Sequence, residues 1–288
     1  MILSEALQSV TQTLRRAEID DPSVEAEVLL GHVLGMSKTG LYTEPERSLT
    51  SAEGERLRDL VRRRLDREPA AYIRGHCEFY GIELSVDSRT LIPRPETELL
   101  VEEAVGLARR ISRRGGQSVM ADIGTGCGAI AISLALALPQ AKIYATDISP
   151  SALRVAEVNC RRHGVSSQVE LLQGNLLEPL PQAVDVIVAN LPYVKDCEFV
   201  DLSPEIREHE PTVAWAGGRD GLDKIREMLE QVQGKRGAHC WGSVCLLLEI
   251  GQGQGEMVTS LVNDYFPRAS IELISDLGGI ERVVKVGL

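Results

Sequence analysis

The chain has 288 residues, of which 31 are Lys or Arg and 42 are Asp or Glu, giving a formal net charge of −11. Hydrophobic residues make up 43% of the sequence, which indicates a folded globular protein and excludes a disordered one. The negative charge disfavours a protein that coats nucleic acid, and the longest apolar stretch, 129–138, is too short to cross a membrane.

Neither a secretory signal nor a metal centre is expected. The first residues lack both basic charge and a long apolar run. The six cysteines are scattered and form no Cys-x-x-Cys pair. This pattern predicts free thiols, a cytoplasmic protein and no zinc or other metal site.

Residues 1–75 predict a small all-helical domain. Apolar residues recur at helical spacing over 3–14. A second helix is predicted to begin at Pro22, where the missing N–H of proline costs nothing, and to end at Gly35. A third helix is predicted to begin at about residue 50.

Residues 76–92 have a different pattern, with alternating apolar residues around Gly81 that predict a β-hairpin linking two domains. From 93 to 288, helical and strand patterns alternate, which indicates a doubly wound α/β domain. The predicted helices are 96–112, 127–138, 150–163, 221–233 and 254–265. The predicted strands are 118–123, 142–146, 168–172, 184–189, 243–250, 270–274 and 282–286.

A glycine-rich turn, Asp122-Ile123-Gly124-Thr125-Gly126-Cys127-Gly128, follows the first of these strands and opens a helix. Glycines at this place allow a tight turn and a close approach of the backbone to a ligand. The turn alone does not distinguish NAD from another adenosyl ligand. Its G-x-G-x-G spacing differs from the dinucleotide G-x-G-x-x-G, although Gly124, Gly126 and Ala129 match G-x-G-x-x-A. A turn without any ligand also stays open.

Asp147 ends the second strand of the α/β region. A carboxylate there can accept hydrogen bonds from both hydroxyls of a ribose, and the alternative is that it only caps the next helix beside Ser149. Asp122 with the glycine turn resembles motif I of the S-adenosylmethionine-dependent class I methyltransferases. Asp147 resembles the acidic ribose ligand of the same enzymes.

The tetrapeptide Asn190-Leu191-Pro192-Tyr193 follows the apolar strand at 184–189, at the sheet edge where α/β proteins bind ligands. A planar amide or amino nitrogen is a poor nucleophile and must donate both of its N–H groups to fixed acceptors. The side-chain oxygen of Asn190 and the carbonyl of Leu191 can be these acceptors. Pro192 holds Leu191 extended, and Tyr193 can stack on the planar group. The alternative is a plain Asn-x-Pro turn.

This tetrapeptide resembles the (N/D)-P-P-(Y/F/W) motif of methyltransferases that act on amino nitrogens of planar groups. Two further segments are similar to signatures of the release-factor glutamine methyltransferases, the PrmC/HemK family. Leu91-Ile92-Pro93-Arg94-Pro95-Glu96-Thr97-Glu98 is similar to I-P-R-P-E-T-E, and Glu210-Pro211-Thr212-Val213-Ala214-Trp215-Ala216-Gly217-Gly218-Arg219-Asp220-Gly221-Leu222 is similar to E-P-x-x-A-L-x-G-G-x-D-G-L. The resemblance covers essentially the whole chain.

The resemblance implies a mostly parallel seven-stranded class I methyltransferase sheet over 93–288, preceded by a helical domain over 1–75 and a hairpin linker over 76–92. It implies methyl transfer from S-adenosylmethionine, leaving S-adenosylhomocysteine, to the side-chain amide nitrogen of the glutamine in the Gly-Gly-Gln motif of class I peptide-chain release factors. No metal and no direct nucleic-acid partner or membrane are implied. The helical domain is implied to dock the release factor.

The resemblance also implies roles for particular residues. The residues implied to hold the cofactor are Gly124, Thr125, Gly126, Cys127, Gly128, Asp147, Asn175, Leu176 and Asn190. The residues implied to bind the substrate glutamine and to carry catalysis are Asn190, Leu191, Pro192 and Tyr193. Pro93, Arg94 and Thr97 are expected near the opening of the active site, with Arg94 as a substrate contact.

Two residues depart from the family pattern. Leu191 stands where the family usually has Pro, and the same Asn-Leu-Pro-Tyr form occurs in ribosomal RNA adenine dimethyltransferases. Asn175 stands where the family usually has Asp. An adenine-N6 methyltransferase acting on RNA or DNA therefore remains an alternative, as does a scaffold that binds cofactor or a factor without turnover.

The expected reaction is direct in-line transfer without a covalent enzyme intermediate, and none of the five histidines stands in a triad-like setting. A row of arginines on the third helix has two interpretations. It is either a solvated face with pairs such as Asp59–Arg63 or a docking surface for an acidic patch of the release factor. The arginines are Arg56, Arg58, Arg62, Arg63, Arg64 and Arg67.

Overall fold

The computed structural model describes residues 1–112, 117–237 and 244–288. The chain divides into two compact units, one of Met1–His76 with Ser203–His209 and one of Cys77–Leu202 with Glu210–Leu288. Within the described ranges, no helix is long and apolar enough to span a membrane.

The helices are α1 (Leu3–Arg16), α2 (Pro22–Leu34), α3 (Lys38–Thr43), α4 (Ser51–Leu65), α5 (Ala70–Arg74), α6 (Glu98–Ser112), α7 (Ala129–Ala137), α8 (Pro150–Arg162), α9 (Pro204–His209), α10 (Asp223–Gly237) and α11 (Gly255–Tyr265). The strands are β1 (His76–Phe79), β2 (Ile82–Ser85), β3 (Val119–Ile123), β4 (Lys142–Asp147), β5 (Val169–Gln173), β6 (Val186–Ala189), β7 (Cys245–Glu249), β8 (Ser270–Ser275) and β9 (Glu281–Gly287). Short 3-10 helices lie at Pro95–Thr97, Asp196–Asp201 and Thr212–Ala214.

The first unit is helical because its apolar residues fall on single helix faces that bury one another. α1 buries its apolar face against α2, and the core is filled mainly by leucines. The predicted start of α2 at Pro22 and its end before Gly35, which has φ of +63°, are confirmed. α4 begins after Thr50, whose hydroxyl accepts from the Glu53 amide in a capping box. The short helices α3, α5 and α9 were not predicted.

Most of the arginines on and after α4 are bound within this first unit. Arg64 is buried and pairs with Glu25 at 3.2 Å and with Glu205 at 2.9 Å. The guanidinium of Arg63 makes two hydrogen bonds to Glu68, at 2.7 and 2.6 Å. Arg56 donates to the carbonyl of Val33 at 2.9 Å, and Arg67 donates to the carbonyl of Ala17 at 2.8 Å.

The remaining two arginines of the row, Arg58 and Arg62, are exposed. The expected Asp59–Arg63 pair does not form. Asp59 pairs instead with Arg62 at 2.6 Å, because three residues of helix bring the two side chains together as well as four do, and Glu68 holds Arg63.

The predicted hairpin of β1 and β2, of which all but His76 belongs to the second unit, turns at Tyr80 and Gly81 with φ of +49° and +72°. Two positive φ angles at a two-residue turn match the twist of the flanking strands. The seven-stranded sheet has the order β5-β4-β3-β6-β7-β9-β8. The first five of these strands are parallel, and β9 runs antiparallel to both of its neighbours. The predicted doubly wound class I sheet is thus confirmed.

The boundaries of the predicted elements shift by a few residues where local geometry intervenes. The helix expected over 96–112 begins with the 3-10 turn Pro95–Thr97 before α6. α7 begins at Ala129 rather than at 127, because Gly128 adopts a φ of +88° as its N-cap. The strand expected over 184–189 begins at Val186. Residue 243 of the strand expected over 243–250 lies outside the described residues.

Candidate active site

The strands β4, β3 and β6 are adjacent and parallel, so their carboxyl ends meet at one edge of the sheet. A cavity opens at this edge. The predicted site residues that line it are Gly124, Gly126, Asp147, Asn175, Leu176, Asn190, Leu191 and Pro192. The other predicted site residues, all in the described part of the chain, lie outside the lining: Thr125, Cys127, Gly128, Tyr193 and Arg94.

The glycine turn depends on backbone angles that residues with a side chain rarely adopt. Gly124, Gly126 and Gly128 have φ of +76°, +57° and +88°. A Cβ on Gly126 would meet nothing within 4 Å, whereas one on Gly128 would lie 3.0 Å from the side chain of Ile132. The turn therefore needs glycine for its conformation, and Gly126 leaves open space on the side where a ligand can approach.

Asp122 stabilises the glycine turn through hydrogen bonds. Its buried carboxylate accepts from the Thr125 hydroxyl at 2.6 Å and from the Ala131 amide at 3.1 Å. Burial raises the pKa of Asp122 to about 7. The thiol of Cys127 is also buried, and burial raises its pKa. Thr125 and Cys127 thus have inward contacts, and their binding of a cofactor stays a prediction.

Asp147 links the turn to the neighbouring strand. One carboxylate oxygen accepts from the Gly126 amide at 2.9 Å and the other from the Ser149 amide at 2.8 Å. Burial raises the pKa of Asp147. The cap of α8 is Ser149, whose hydroxyl accepts from the Ala152 amide at 3.2 Å. Asp147 therefore positions the turn and faces the cavity, instead of serving only as a helix cap.

An apolar residue beside this carboxylate was missed at the sequence level. Ile148 lines the cavity with 52% of its surface exposed. An exposed isoleucine at the end of a buried strand provides an apolar surface for a flat ligand. The position of Ile148 directly after Asp147, the acidic last residue of β4, could have indicated it from the sequence.

Asn175 and Leu176 follow β5 and lie on the same cavity. The amide nitrogen of Asn175 donates to Glu227 at 2.5 Å, and Glu227 pairs with Lys224 at 2.7 Å. The hydrogen bond from Lys224, followed by that from Asn175, lowers the pKa of Glu227. Glu227 and Lys224 were not predicted from the sequence, because they lie on α10 and nothing in their local pattern marks them.

Asn190 follows β6 and is held from behind by the I-P-R-P-E-T-E segment. The side-chain amide nitrogen of Asn190 donates a hydrogen bond to the hydroxyl of Thr97, which belongs to that segment, at 3.1 Å. Thr97 was expected near the opening of the site. It is instead buried beside Asn190, because it lies in the 3-10 turn whose buried residue is Thr97. Burial raises the pKa of Tyr193 to about 12, and its backbone carbonyl accepts from Gln254 at 3.0 Å.

A buried acid at the end of β7 completes this cluster and was also missed. Glu249 is 3% exposed, and its Oε2 atom has no hydrogen-bond partner among the described residues. Burial raises its pKa to about 7, while side-chain hydrogen bonds from Thr97 and Asn190 oppose the shift. The sequence contains a signal for this residue, because Glu249 is an acid at the end of the apolar strand β7.

The two family-like segments contact each other. Arg94 donates to the buried carboxylate of Glu210 at 2.5 Å, and the Ile92 amide lies 3.4 Å from the same group. Burial raises the pKa of Glu210, and the charge of Arg94 opposes this shift. Arg94 therefore has a structural partner, and its contact with substrate stays a prediction.

The segment over 210–222 runs beside the tetrapeptide at Ala216 and Gly217. Val194 and Ala216 form a parallel bridge, and the Gly217 amide donates to the Val194 carbonyl at 2.8 Å. A Cβ on Gly217 would lie 2.8 Å from backbone atoms of Pro192 and Tyr193. The segment over 210–222 thus packs its backbone directly against the tetrapeptide.

Within the described residues, no three His, Cys, Asp or Glu side chains come together as a metal site, and the five described cysteines form no disulfide. His239 and Cys240 lie outside the described residues. The expectation of metal-free chemistry stays a prediction.

The sheet order, the glycine turn and the Asn-Leu-Pro-Tyr segment together define a methyltransferase of class I. Residues 5–75 match the PrmC N-terminal domain, and residues 99–208 match the methyltransferase small domain. The release factor glutamine methyltransferase of Koribacter versatilis strain Ellin345 is 38% identical over 286 residues, covering 99% of this chain and 98% of that protein. The protein of the same name from Bacillus anthracis is 36% identical over 289 residues, again covering 99% and 98%. The chain therefore belongs to the release factor glutamine methyltransferase family.

The solved structures agree on the fold. A methyltransferase structure from Pyrococcus furiosus superposes with a TM-score of 0.51 at 17% identity, covering 72% of this chain and 89% of that one. At this identity the similarity concerns the fold alone.

Proposed function

We propose that this protein transfers a methyl group from S-adenosylmethionine to the side-chain amide nitrogen of the glutamine in the Gly-Gly-Gln motif of class I release factors. The supporting observation is that one cavity is lined by the glycine turn, by Asp147 and by Asn190 with Leu191. The full-length relatives with release factor glutamine methyltransferase names support the same substrate. A cytoplasmic location and the absence of a nucleic-acid partner stay predictions.

The residues around the glycine turn fit the cofactor. Asp147 has a carboxylate in the cavity for ribose hydroxyls, and the open side of Gly126 leaves room for the methionine part. Asn175 and Leu176 can contact the adenine edge, and Ile148 can cover its face. When bound, the cofactor supplies an electrophilic methyl group on a sulfonium.

The tetrapeptide would hold the glutamine. Asn190 donates its amide N–H to Thr97, which turns its carbonyl oxygen away from Thr97. That oxygen and the Leu191 carbonyl can accept the two N–H groups of the substrate amide and stabilise the positive charge that develops on nitrogen. The amide nitrogen would bond to the methyl carbon as the methyl–sulfur bond breaks, S-adenosylhomocysteine would be the leaving group, and the nitrogen would then lose its proton to water. Alignment of the two reactants supplies much of the rate enhancement.

The test is mass spectrometry of a class I release factor after incubation with this protein and S-adenosylmethionine. We expect one added methyl group, located on the glutamine of the Gly-Gly-Gln peptide. A release factor in which that glutamine is replaced by glutamate is the control and should stay unmodified. A ribosomal RNA fragment treated in parallel tests the adenine-N6 alternative suggested by Leu191. Methylation of the RNA and not of the release factor would contradict the proposal.

A further inference from the structure

The end of β7 places an acid next to the tetrapeptide. β6 and β7 are parallel, with Ala189 paired to Leu248, so Asn190 and Glu249 are the next residues along the two strands. Thr97, from the 3-10 turn before α6, is buried beside both. Three polar side chains from segments far apart in the sequence thus form one cluster beneath the cavity.

Glu249 has no cation bound to it in the described structure. Arg282 is the nearby positive charge, and it pairs with Asp276 at 3.0 Å and with Glu96 at 3.8 Å. Glu96 and the Tyr193 ring are the other ionisable groups that act on this carboxyl. A buried acid without a counter-ion destabilises the fold, so its presence beside Asn190 calls for a role in the site.

The direction of the hydrogen bonds supplies that role. The Thr97 hydroxyl accepts from the amide nitrogen of Asn190 and must send its own proton elsewhere. Thr97 and Asn190 are the two side-chain donors that act on Glu249, and an ionised carboxylate has no proton to donate in return. A bond from Thr97 to Glu249 therefore makes the hydroxyl oxygen an acceptor for Asn190.

We propose that Glu249 is a positioning residue for Asn190, acting on its amide nitrogen both directly and through the hydroxyl of Thr97. The pair holds the Asn190 amide with its nitrogen toward Thr97 and its oxygen toward the substrate amide, a role that rests on the proposed function for the identity of the substrate. The two ends of an asparagine amide have nearly the same shape, so packing alone does not set its orientation. A flipped amide would present N–H groups to the N–H groups of the substrate.

The first experiment compares steady-state kinetics of four variants on a release factor. Glu249→Gln and Thr97→Val should each lower kcat on the order of 10- to 100-fold, with KM and the affinity for S-adenosylhomocysteine unchanged. Thr97→Ser keeps the hydroxyl and should retain most of the activity. Glu272→Gln, an exposed acid of the same sheet, is the matched control and should behave as wild type.

The double variant Thr97→Val/Glu249→Gln separates positioning from proton transfer. If Glu249 and Thr97 hold the same Asn190 amide, the loss in the double variant falls well short of the product of the two single losses. Losses that multiply would overturn the proposal, and would indicate that Glu249 acts directly on the substrate. Wild-type kcat in a folded Glu249→Gln protein would overturn it as well.

The pH profile gives a second readout. The carboxylate form holds Thr97 in place, so kcat/KM of the wild type should rise with pH through about 7. The Glu249→Gln variant should lose this step. A step that persists in the variant would assign the titration to another group and contradict the proposal.

A readout without turnover keeps this inference separate from the proposed function. The side-chain amide of Asn190 can be assigned by NMR from the signals that disappear in Asn190→Ala. Its hydrogen exchange should accelerate in Thr97→Val and in Glu249→Gln, but not in Thr97→Ser or Glu272→Gln. A wild type that leaves release factors unmethylated would contradict the proposed function, while unchanged exchange in both variants would overturn the positioning role.

Discussion

At the scale of single residues, Asn190 and Asn175 have their amide nitrogens held by the protein. Asn190 donates to Thr97, and Asn175 donates to Glu227. In each case the amide nitrogen is bound from the protein side, so the carbonyl oxygen is the end that remains for a ligand donor. Both residues are thus suited to accept N–H groups, from the substrate amide at Asn190 and from the adenine amino group at Asn175.

Asn190→Ala should lower methyl transfer to the release factor by about 100- to 1000-fold, because one fixed acceptor for the developing charge is lost. Binding of S-adenosylhomocysteine, measured by calorimetry, should change little, since the other cavity residues are intact. Turnover near the wild-type rate would remove Asn190 from the mechanism.

Asn175→Asp restores the residue usual in the family but places a carboxylate against Glu227. We expect the affinity for S-adenosylhomocysteine to fall about 10-fold, because two like charges at 2.5 Å repel each other and displace the side chain. Adding Glu227→Gln should recover most of the affinity. The interpretation would be wrong if Asn175→Asp bound as tightly as wild type while the added Glu227→Gln changed nothing.

At the scale of elements, the segment over 210–222 and the tetrapeptide form one packed unit. Glycine at 217 permits the close approach of the two backbones, and the Arg94–Glu210 pair ties the I-P-R-P-E-T-E segment to the same unit. Both segments that resemble family signatures therefore contact the tetrapeptide, Thr97 at Asn190 and Gly217 at Pro192 and Tyr193.

Gly217→Ala should lower kcat by about 10-fold or more, because its Cβ would lie 2.8 Å from backbone atoms of Pro192 and Tyr193 and must shift them. The matched control is Gly234→Ala on α10, where a Cβ meets nothing within 4 Å. That variant should keep full activity and gain up to about 1 kcal/mol in free energy of unfolding, measured in urea. Equal activity in the two variants would contradict the packing role.

The arginines of α4 allow a test of docking by the helical region. Arg58 and Arg62 are exposed, the latter with 72% of its side chain accessible, whereas the other three arginines of α4 and Arg67 after it make contacts within their own unit. The double variant Arg58→Glu/Arg62→Glu should raise KM for the intact release factor several-fold and leave kcat unchanged. Arg161→Glu, an exposed arginine on α8, is the control. If KM stays at the wild-type value, docking does not use this surface.

At the scale of the whole molecule, buried acids make stability depend on pH. Asp122 and Glu249 have pKa values of about 7 in the folded protein, against about 4 in the unfolded chain. The folded state thus keeps protons that the unfolded state releases, and the free energy of unfolding falls as pH rises from about 4.5 to 7. His32, whose pKa burial lowers, acts in the opposite direction over part of this range.

Thermal unfolding at pH 5.5 and pH 7.5 checks this dependence. Relative to wild type, Glu249→Gln should lose less stability between the two pH values, by on the order of 2 kcal/mol, because its side chain cannot ionise. The difference between the two proteins cancels the contribution of His32. Identical pH dependence in wild type and variant would show that Glu249 is ionised at both pH values.

Much of the fold was predictable because its signals are local. Pro22, Gly35 and Thr50 mark helix ends through their own backbone angles and caps, and the alternation of apolar strands and helices indicates the doubly wound sheet. Short helices such as α3 and α5 were missed, because a few residues of helix carry too little periodicity and depend on packing for stability.

The class of fold, the glycine turn and the tetrapeptide could be predicted from the sequence, because each is a contiguous pattern whose chemistry follows from neighbouring residues. The side chains that position these segments are known only from the folded structure. Thr97 reaches Asn190 across 93 residues, Arg94 reaches Glu210 across 116, and Asn175 reaches Glu227 across 52. The local sequence does not indicate such pairs, because burial and the register of parallel strands, not sequence spacing, bring their side chains within hydrogen-bond distance.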